Sequence, residues 1–512
     1  MSKGPTCLEL IERGARQHAD RIAVVFGEEA LTFAQVNAGA NRLARALHRA
    51  GAPIGERVAL LVNNGLLSVP LDFACVKGGL NRVPLNARLT VAEHARMITE
   101  ARCRLLVFGP GLAGRAAELQ AQLPELRSCG LGESLGSGVD LLEVAKTELD
   151  TPPPHDAGPD DIVLTVYTSG TTGVLKAAQH TQASYAAVCR NILLNLFPVR
   201  PDDAMLHSAS LIHASGTFIL PMWLRGARNV VLPGFETASF VAAIERHRVT
   251  AINLVPTMLQ MLLEHPDLDR CDLSSLERII YGASPMPRPV IERAIARFGQ
   301  EKFWQYYGQT EAPLCLAVLR PEDHVGDRLG ACGRPAAEVE IILVDDQGAE
   351  VPAGEAGEIL VRAPSAAAGY FNAPELTAQG FDAEGWVHTR DLGLFDAQGF
   401  LHLRDRTSDM IITGGYNVYP REVEDALAGH PAVLEAAVVG LPDDKWVEAV
   451  TAVVVLRDGA VVSEADLIAE VASRIASYKK PHRVIFAASI PKTAVGKIDR
   501  KTLKAQLLAA VG

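Results

Sequence analysis

The chain has 512 residues, 48% hydrophobic and 21% charged, with 60 acidic against 49 basic side chains and a net charge of −11. That length exceeds one hydrophobic core, so two or more domains are expected, and the composition excludes disorder and fibre. The acidic balance argues against a nucleic-acid partner, while a local basic pocket for a small anion is compatible with it.

In chain order, residues 35–50 place Val36, Ala40, Leu43 and Leu47 at helical spacing, and 57–62 and 104–108 read as buried strands. Such alternation predicts layered α/β architecture. A Pro/Asp-rich connector at 151–161 leads into a strand from 162. Strand, helix and strand patterns recur at 229–233, 239–248 and 250–255. After about residue 330 short strands alternate with turns such as Asp346-Gln347-Gly348 and Ala397-Gln398-Gly399, predicting a β-rich subdomain. The last hundred residues return to an α/β pattern, with a helix start at Ser463-x-x-Asp466. The expected fold class is therefore α/β: a large N-terminal domain over 1–404, with α/β layers and a β-rich subdomain, and a small α+β domain over 405–512.

The eight cysteines are far apart and form no C-x-x-C pair, so neither a metal-ligand set nor a disulfide framework is expected. Reduced, packed thiols suit a cytoplasmic location. The N-terminal segment lacks the apolar core of a signal peptide. No apolar run reaches the roughly 18 residues that span a bilayer, so no transmembrane segment is expected.

The strand at 162–167 runs into Thr168-Ser169-Gly170-Thr171-Thr172-Gly173-Val174-Leu175-Lys176. Glycines let several backbone N–H groups turn towards one anion, hydroxyls add donors, and lysine adds a compact positive charge. The spacing is not that of the common P-loop. A lone glycine-rich turn is weak evidence, but ten residues in this combination are specific. The segment from Tyr167 to Lys176 resembles the phosphate-loop signature of the adenylate-forming (AMP-binding) superfamily, which includes acyl- and aryl-CoA ligases, peptide-synthetase adenylation domains and firefly-type luciferases. Most members close this motif with Pro-Lys-Gly, whereas this chain has Leu175-Lys176-Ala177.

Further segments match the family in order, over essentially the whole chain. Tyr306-Tyr307-Gly308-Gln309-Thr310-Glu311 resembles its Y-G-x-T-E motif, which implies an aromatic face for adenine, a hydroxyl near the α-phosphate and a carboxylate, Glu311, for Mg²⁺. Gly282-Ala283-Ser284 resembles the segment lining the adenine and acyl pockets. Trp386 to Asp391 resembles W-x-x-T-G-D, implying that Asp391 binds the ribose hydroxyls, with Arg390 in place of glycine. Arg406 matches the ribose-contacting arginine, and Ser408 stands at the hinge position, where the family often has Asp or Lys. Residues 491–498 resemble the C-terminal P-K-T-x-x-G-K signature, so Lys497 is the expected catalytic lysine bridging carboxylate and α-phosphate.

On the acid side, His213 in Leu211-Ile212-His213-Ala214-Ser215-Gly216 matches a histidine near the substrate carboxylate. Ser215, Gly216, Ile219, Gly282 and Tyr307 are expected to border the acid. No acidic residue occurs from 204 to 219, where amino-acid-activating members hold the substrate amine. Lys497, Thr172, Glu311 and His213 are thus the expected catalytic set. Gly414, Gly415, Tyr416 and Trp446 are expected to face coenzyme A, with Val447 replacing a glycine usual there.

The resemblance implies an acid–thiol ligase using ATP, Mg²⁺ and coenzyme A on a fatty or aryl acid, through an acyl-adenylate. Its small C-terminal domain is expected to rotate between the two half-reactions. A carrier-protein thiol or an amine as acceptor, and a catalytically silent nucleotide-binding regulator, are the alternatives. The sequence leaves the acid and the oligomeric state, a homodimer included, open.

Overall fold

The computed structural model of the protein describes residues 4–169, 175–266, 268–284, 286–406, 409–413, 416–443, 446–493 and 496–511. Among them the strands gather into sheets of nine, seven, four and five strands. The seven-stranded sheet contains the expected strands Arg57–Leu61 and Leu105–Phe108 and ends on Ile162–Ser169 paired antiparallel with Leu175–Thr181. The nine-stranded sheet holds Ala204–His207, Arg228–Val231, Ala251–Leu254, Arg278–Gly282 and Phe303–Tyr307 in parallel register. Most residues of these strands are buried, as expected of parallel strands covered by helices on both faces.

Side-chain caps fix where helices begin. Thr6, Thr32 and Thr90 each accept from the third helical N–H while Glu9, Gln35 and Glu93 reach back to the cap. The predicted Ser463 start holds, its hydroxyl accepting from the Asp466 N–H at 3.1 Å.

The β-rich subdomain is the antiparallel sheet Glu340–Val344, Gly357–Arg362, Val387–Phe395 and Leu401–Arg406. The chain then enters a separate C-terminal unit, whose sheet is Tyr416–Val418, Ile411–Thr413, Val447–Leu456, Val433–Asp443 and Arg483–Phe486. Its own core closes around Val423, Leu427, Val450, Leu467 and Val471. The unit meets the larger one through Gln260 Nε2 donating to the Leu434 carbonyl at 3.3 Å and an Arg457–Glu264 pair at 3.2 Å.

The strand Ile162–Ser169 is pinned from behind by buried polar groups. Arg82 Nε donates to the Val163 carbonyl at 3.0 Å, and Arg82 also pairs with Asp72. Asn81 and Thr165 exchange hydrogen bonds at 3.0 and 3.1 Å. A buried arginine needs such partners, because desolvating it alone costs several kcal/mol. Seven of the eight cysteines are buried free thiols, and burial pushes those of Cys7, Cys75 and Cys103 up to about 12, so these three stay protonated.

Candidate active site

The expected site segments sit beyond the carboxyl ends of parallel strands, where open α/β sheets bind ligands. The phosphate segment continues Ile162–Ser169, Ala283 and Ser284 continue Arg278–Gly282, and Gly308 to Glu311 continue Phe303–Tyr307. The strand Ala204–His207 leads to His213, and Asn81–Pro84 leads to Asn86. Gly282 is demanded by packing: a Cβ there would lie 2.5 Å from the Tyr306 carbonyl on the adjoining strand. Gly216 is as constrained, at 1.9 Å from the Leu211 carbonyl.

Glu311 and Lys176 come together through a residue that the motifs do not single out. The Tyr370 hydroxyl donates to Glu311 Oε1 at 2.7 Å, and the Lys176 ammonium sits 5.3 Å from the centre of the same ring. Burial, then the Glu311 charge, hold the Tyr370 phenol well above its usual range, so it is a donor. Tyr370 lies in an alanine-rich loop, where only the aromatic residue after Gly369 marks it. Thr310 presents its carbonyl to His180 Nε2 at 2.9 Å, which anchors the Glu311 loop on the strand Leu175–Thr181.

Asp391 is 5% exposed and accepts the Tyr307 hydroxyl on Oδ2 at 2.6 Å. In the sheet it stands directly opposite Arg406, so the two expected ribose ligands share one cross-strand register. Burial and this carboxylate hold the Tyr307 phenol protonated. Arg390 adopts φ +59°, the left-handed conformation that glycine favours, while its N–H donates to Glu358 Oε1 at 3.0 Å. Strand alternation sends Tyr306 the other way. It is 2% exposed, edge-on to Phe218, and its hydroxyl accepts from Asn253 Nδ2 at 3.5 Å.

On the acid side His213 caps the 3₁₀ turn Ala214–Phe218, and its Nε2 meets Asn86 Nδ2 at 3.3 Å. Burial, then the nearby charges of Lys497 and Arg88, lower its pKa to about 4, so its imidazole is neutral at pH 7. Lys497 lies in the C-terminal unit, yet its charge contributes to that lowering. Lys497 is carried on a turn closed by the Thr493 N–H to Lys497 carbonyl bond at 2.7 Å. Ser215 does not border the acid with a free hydroxyl: it is buried, bonded to His207 Nδ1 at 2.9 Å, and His207 Nε2 meets Asn229 Oδ1 at 3.0 Å. This chain fixes the turn that carries His213. Ile219 is buried in the core beside it.

Trp446 packs against His482 with ring centres 5.1 Å apart, and the exposed Val447 takes φ +72°, again glycine's region. Gly170, Thr171, Thr172, Gly173, Ser408, Gly414 and Gly415 lie outside the described residues, as do the side chains of Thr168, Ser169, Arg406 and Tyr416.

His180, His207, His213 and His324 each have a pKa lowered to about 4, burial being the main cause. Their unfolded value is about 6.5, so below it the unfolded chain binds protons that the folded chain refuses. The melting temperature is therefore expected to be flat above pH 7 and to fall steadily from pH 6.5 towards 5, before most carboxylates titrate. A scan over that range that stayed level would contradict neutral, buried imidazoles.

A lysine and a carboxylate joined through one tyrosine, a buried aspartate held by a second tyrosine, and a buried neutral histidine fit a nucleotide-dependent enzyme. The chain matches the AMP-binding enzyme model over residues 11–371 and the AMP-binding enzyme C-terminal domain over 422–497. It belongs to the AMP-binding enzyme family. A medium/long-chain fatty acid–CoA ligase of Mycobacterium tuberculosis is 37% identical over 98% of this chain and 90% of its own length. A feruloyl-CoA synthase of Amycolatopsis sp. is also 37% identical, over 95% and 96%. Among solved structures, the amide bond synthetase McbA from Marinactinospora thermotolerans superposes with a TM-score of 0.90 at 35% identity, covering 98% of this chain and 99% of that one. An anthranilate CoA ligase bound to anthranoyl-AMP gives 0.92 at 29% identity, covering 100% and 99%. Among the described residues, no helix is long and apolar enough to cross a membrane.

Proposed function

We propose that this protein is an AMP-forming acid–thiol ligase that converts a fatty or aryl acid and ATP to an acyl-adenylate, then to a coenzyme A thioester. The observation that carries this reading is Tyr370 joining Glu311 and Lys176, with Asp391 buried on Tyr307 and His213 held neutral by burial and by the charges of Lys497 and Arg88. His213 and Lys497 would receive the carboxylate, and Asp391 with Arg406 would hold the ribose. In the first half-reaction a carboxylate oxygen bonds to the α-phosphorus and the bond to pyrophosphate breaks. Lys497 and Lys176 stabilise the charge gathering on the phosphate oxygens. In the second, a thiolate sulfur bonds to the acyl carbon and AMP leaves with the carbon–oxygen electron pair.

The donor set fits a divalent ion bound chiefly through phosphates. Among the described residues no cluster of three or more His, Cys, Asp or Glu could hold a metal alone, whereas Glu311 supplies one carboxylate at the phosphate end. Mg²⁺ there would neutralise pyrophosphate charge. The C-terminal unit is read as a mobile domain, 405–512, turning at Ser408 to withdraw Lys497 and bring Gly414, Gly415, Tyr416 and Trp446 to the acceptor. The seven buried free thiols support a cytoplasmic location.

A second reading keeps the adenylation and changes the acceptor to an amine or a carrier-protein thiol. It is favoured by the amide bond synthetase superposition. Pyrophosphate release across fatty, aryl, dicarboxylic and hydroxycinnamic acids, with and without coenzyme A, separates these readings. Acid-dependent release with thioester formation supports the first. Adenylate without thioester supports the second, and no acid-dependent signal rejects both.

A further inference from the structure

We propose that Tyr370 is a positioning residue for ATP activation, setting the Glu311 carboxylate and the Lys176 ammonium against the triphosphate as one unit. The inference rests on the ligase reading above and adds to it a side chain that no motif assigns.

The geometry is a clasp. Residues 367–371 run alongside the strand Leu175–Thr181, with Phe371 N–H donating to Ala177 O at 2.8 Å, Gln179 N–H to Gly369 O at 2.9 Å and Ala368 N–H to Gln179 O at 2.8 Å. The same segment reaches the other way, Ala367 N–H donating to the Glu311 carbonyl at 2.8 Å. The clasp thus ties the strand that carries Lys176 to the loop that carries Glu311, and Tyr370 repeats the tie with its side chain. Its hydroxyl takes Glu311 Oε1, its ring lies under Lys176, and its other edge packs on Phe381 at 5.5 Å. The Thr377 hydroxyl fixes the backbone by accepting from Tyr370 N–H at 3.0 Å.

A carboxylate held on one oxygen by a fixed phenol presents the other in a set direction. Partners of that kind are worth about 10–100-fold in the metal affinity of the ligand they orient. The ring below Lys176 limits where the ammonium settles, a contact worth roughly threefold in affinity.

The test compares Tyr370→Phe, which removes only the hydroxyl, with Tyr370→Leu, which removes the ring as well. Binding of Mn²⁺ to the ATP complex is followed by loss of the free-ion electron paramagnetic resonance signal, and Mg²⁺ dependence by acid-dependent pyrophosphate release. Tyr370→Phe is expected to raise half-saturating metal about tenfold, with the KM for the acid and the melting temperature unchanged. Tyr370→Leu is expected to weaken metal-free ATP binding about threefold further. Metal dependence within twofold of the parent in the Phe variant overturns the proposal. So does an activity loss that persists at saturating metal alongside a lowered melting temperature, which marks a merely structural tyrosine. If the parent enzyme shows no acid-dependent release with any acid, the ligase reading fails, while the Mn²⁺ comparison still decides the role of Tyr370.

Discussion

Replacing Lys497 with alanine is expected to slow acid-dependent pyrophosphate release at least a hundredfold, while thioester formation from supplied acyl-adenylate stays near the parent rate. The asymmetry follows from position. Lys497 belongs to the C-terminal unit, yet its charge reaches His213 in the larger one, so the proposed role requires that unit to be docked. Charge builds on the α-phosphate and carboxylate oxygens as adenylate forms, and removing one aimed donor there costs about 10²–10³ in rate. The second half-reaction expels AMP without that lysine. Lys504→Ala is the matched control, because Lys504 pairs with Glu448 at 3.0 Å in the same unit, away from His213. Stopped assays of pyrophosphate and thioester on the same preparations decide the matter, and equal loss in both half-reactions would refute the assigned role.

Asp391→Ala is expected to raise the KM for ATP by about 10²–10⁴-fold, since two hydroxyl donors to one carboxylate contribute about 1.5–3 kcal/mol each. It also strands the buried Tyr307 hydroxyl, which loses its 2.6 Å acceptor and costs the fold about 1–3 kcal/mol. The two effects separate in the double variant. Tyr307→Phe added to Asp391→Ala removes the stranded donor, so the melting temperature recovers while the KM does not. Recovery of both would mean that Asp391 acts only through Tyr307 and that the ribose lies elsewhere.

The strand ends and the segments that follow them were legible because glycine, hydroxyl and charge cluster there, whereas buried parallel strands read as apolar runs. Phe303–Tyr307 shows the limit. Alternation says that Tyr306 and Tyr307 face opposite ways, but both rings pack into core clusters, and no linear spacing says which of them borders a ligand. Ser215 was equally ambiguous, because its partners His207 and Asn229 come from neighbouring strands that no linear spacing connects. Tyr370 escaped for the same reason: its meaning lies in the clasp between Glu311 and the strand of Lys176, which exists only once the chain is folded.

Arg390 and Val447 both adopt the left-handed backbone conformation that glycine favours. A non-glycine residue in that region carries roughly 1–2 kcal/mol of steric cost, most acute for a β-branched valine. Each position is therefore a latent stabilising step, one nucleotide away in the genetic code and needing no rearrangement of the main chain. For anyone reshaping the acid pocket by directed evolution, those two glycines form a reserve of robustness, able to absorb the destabilisation that new specificities bring.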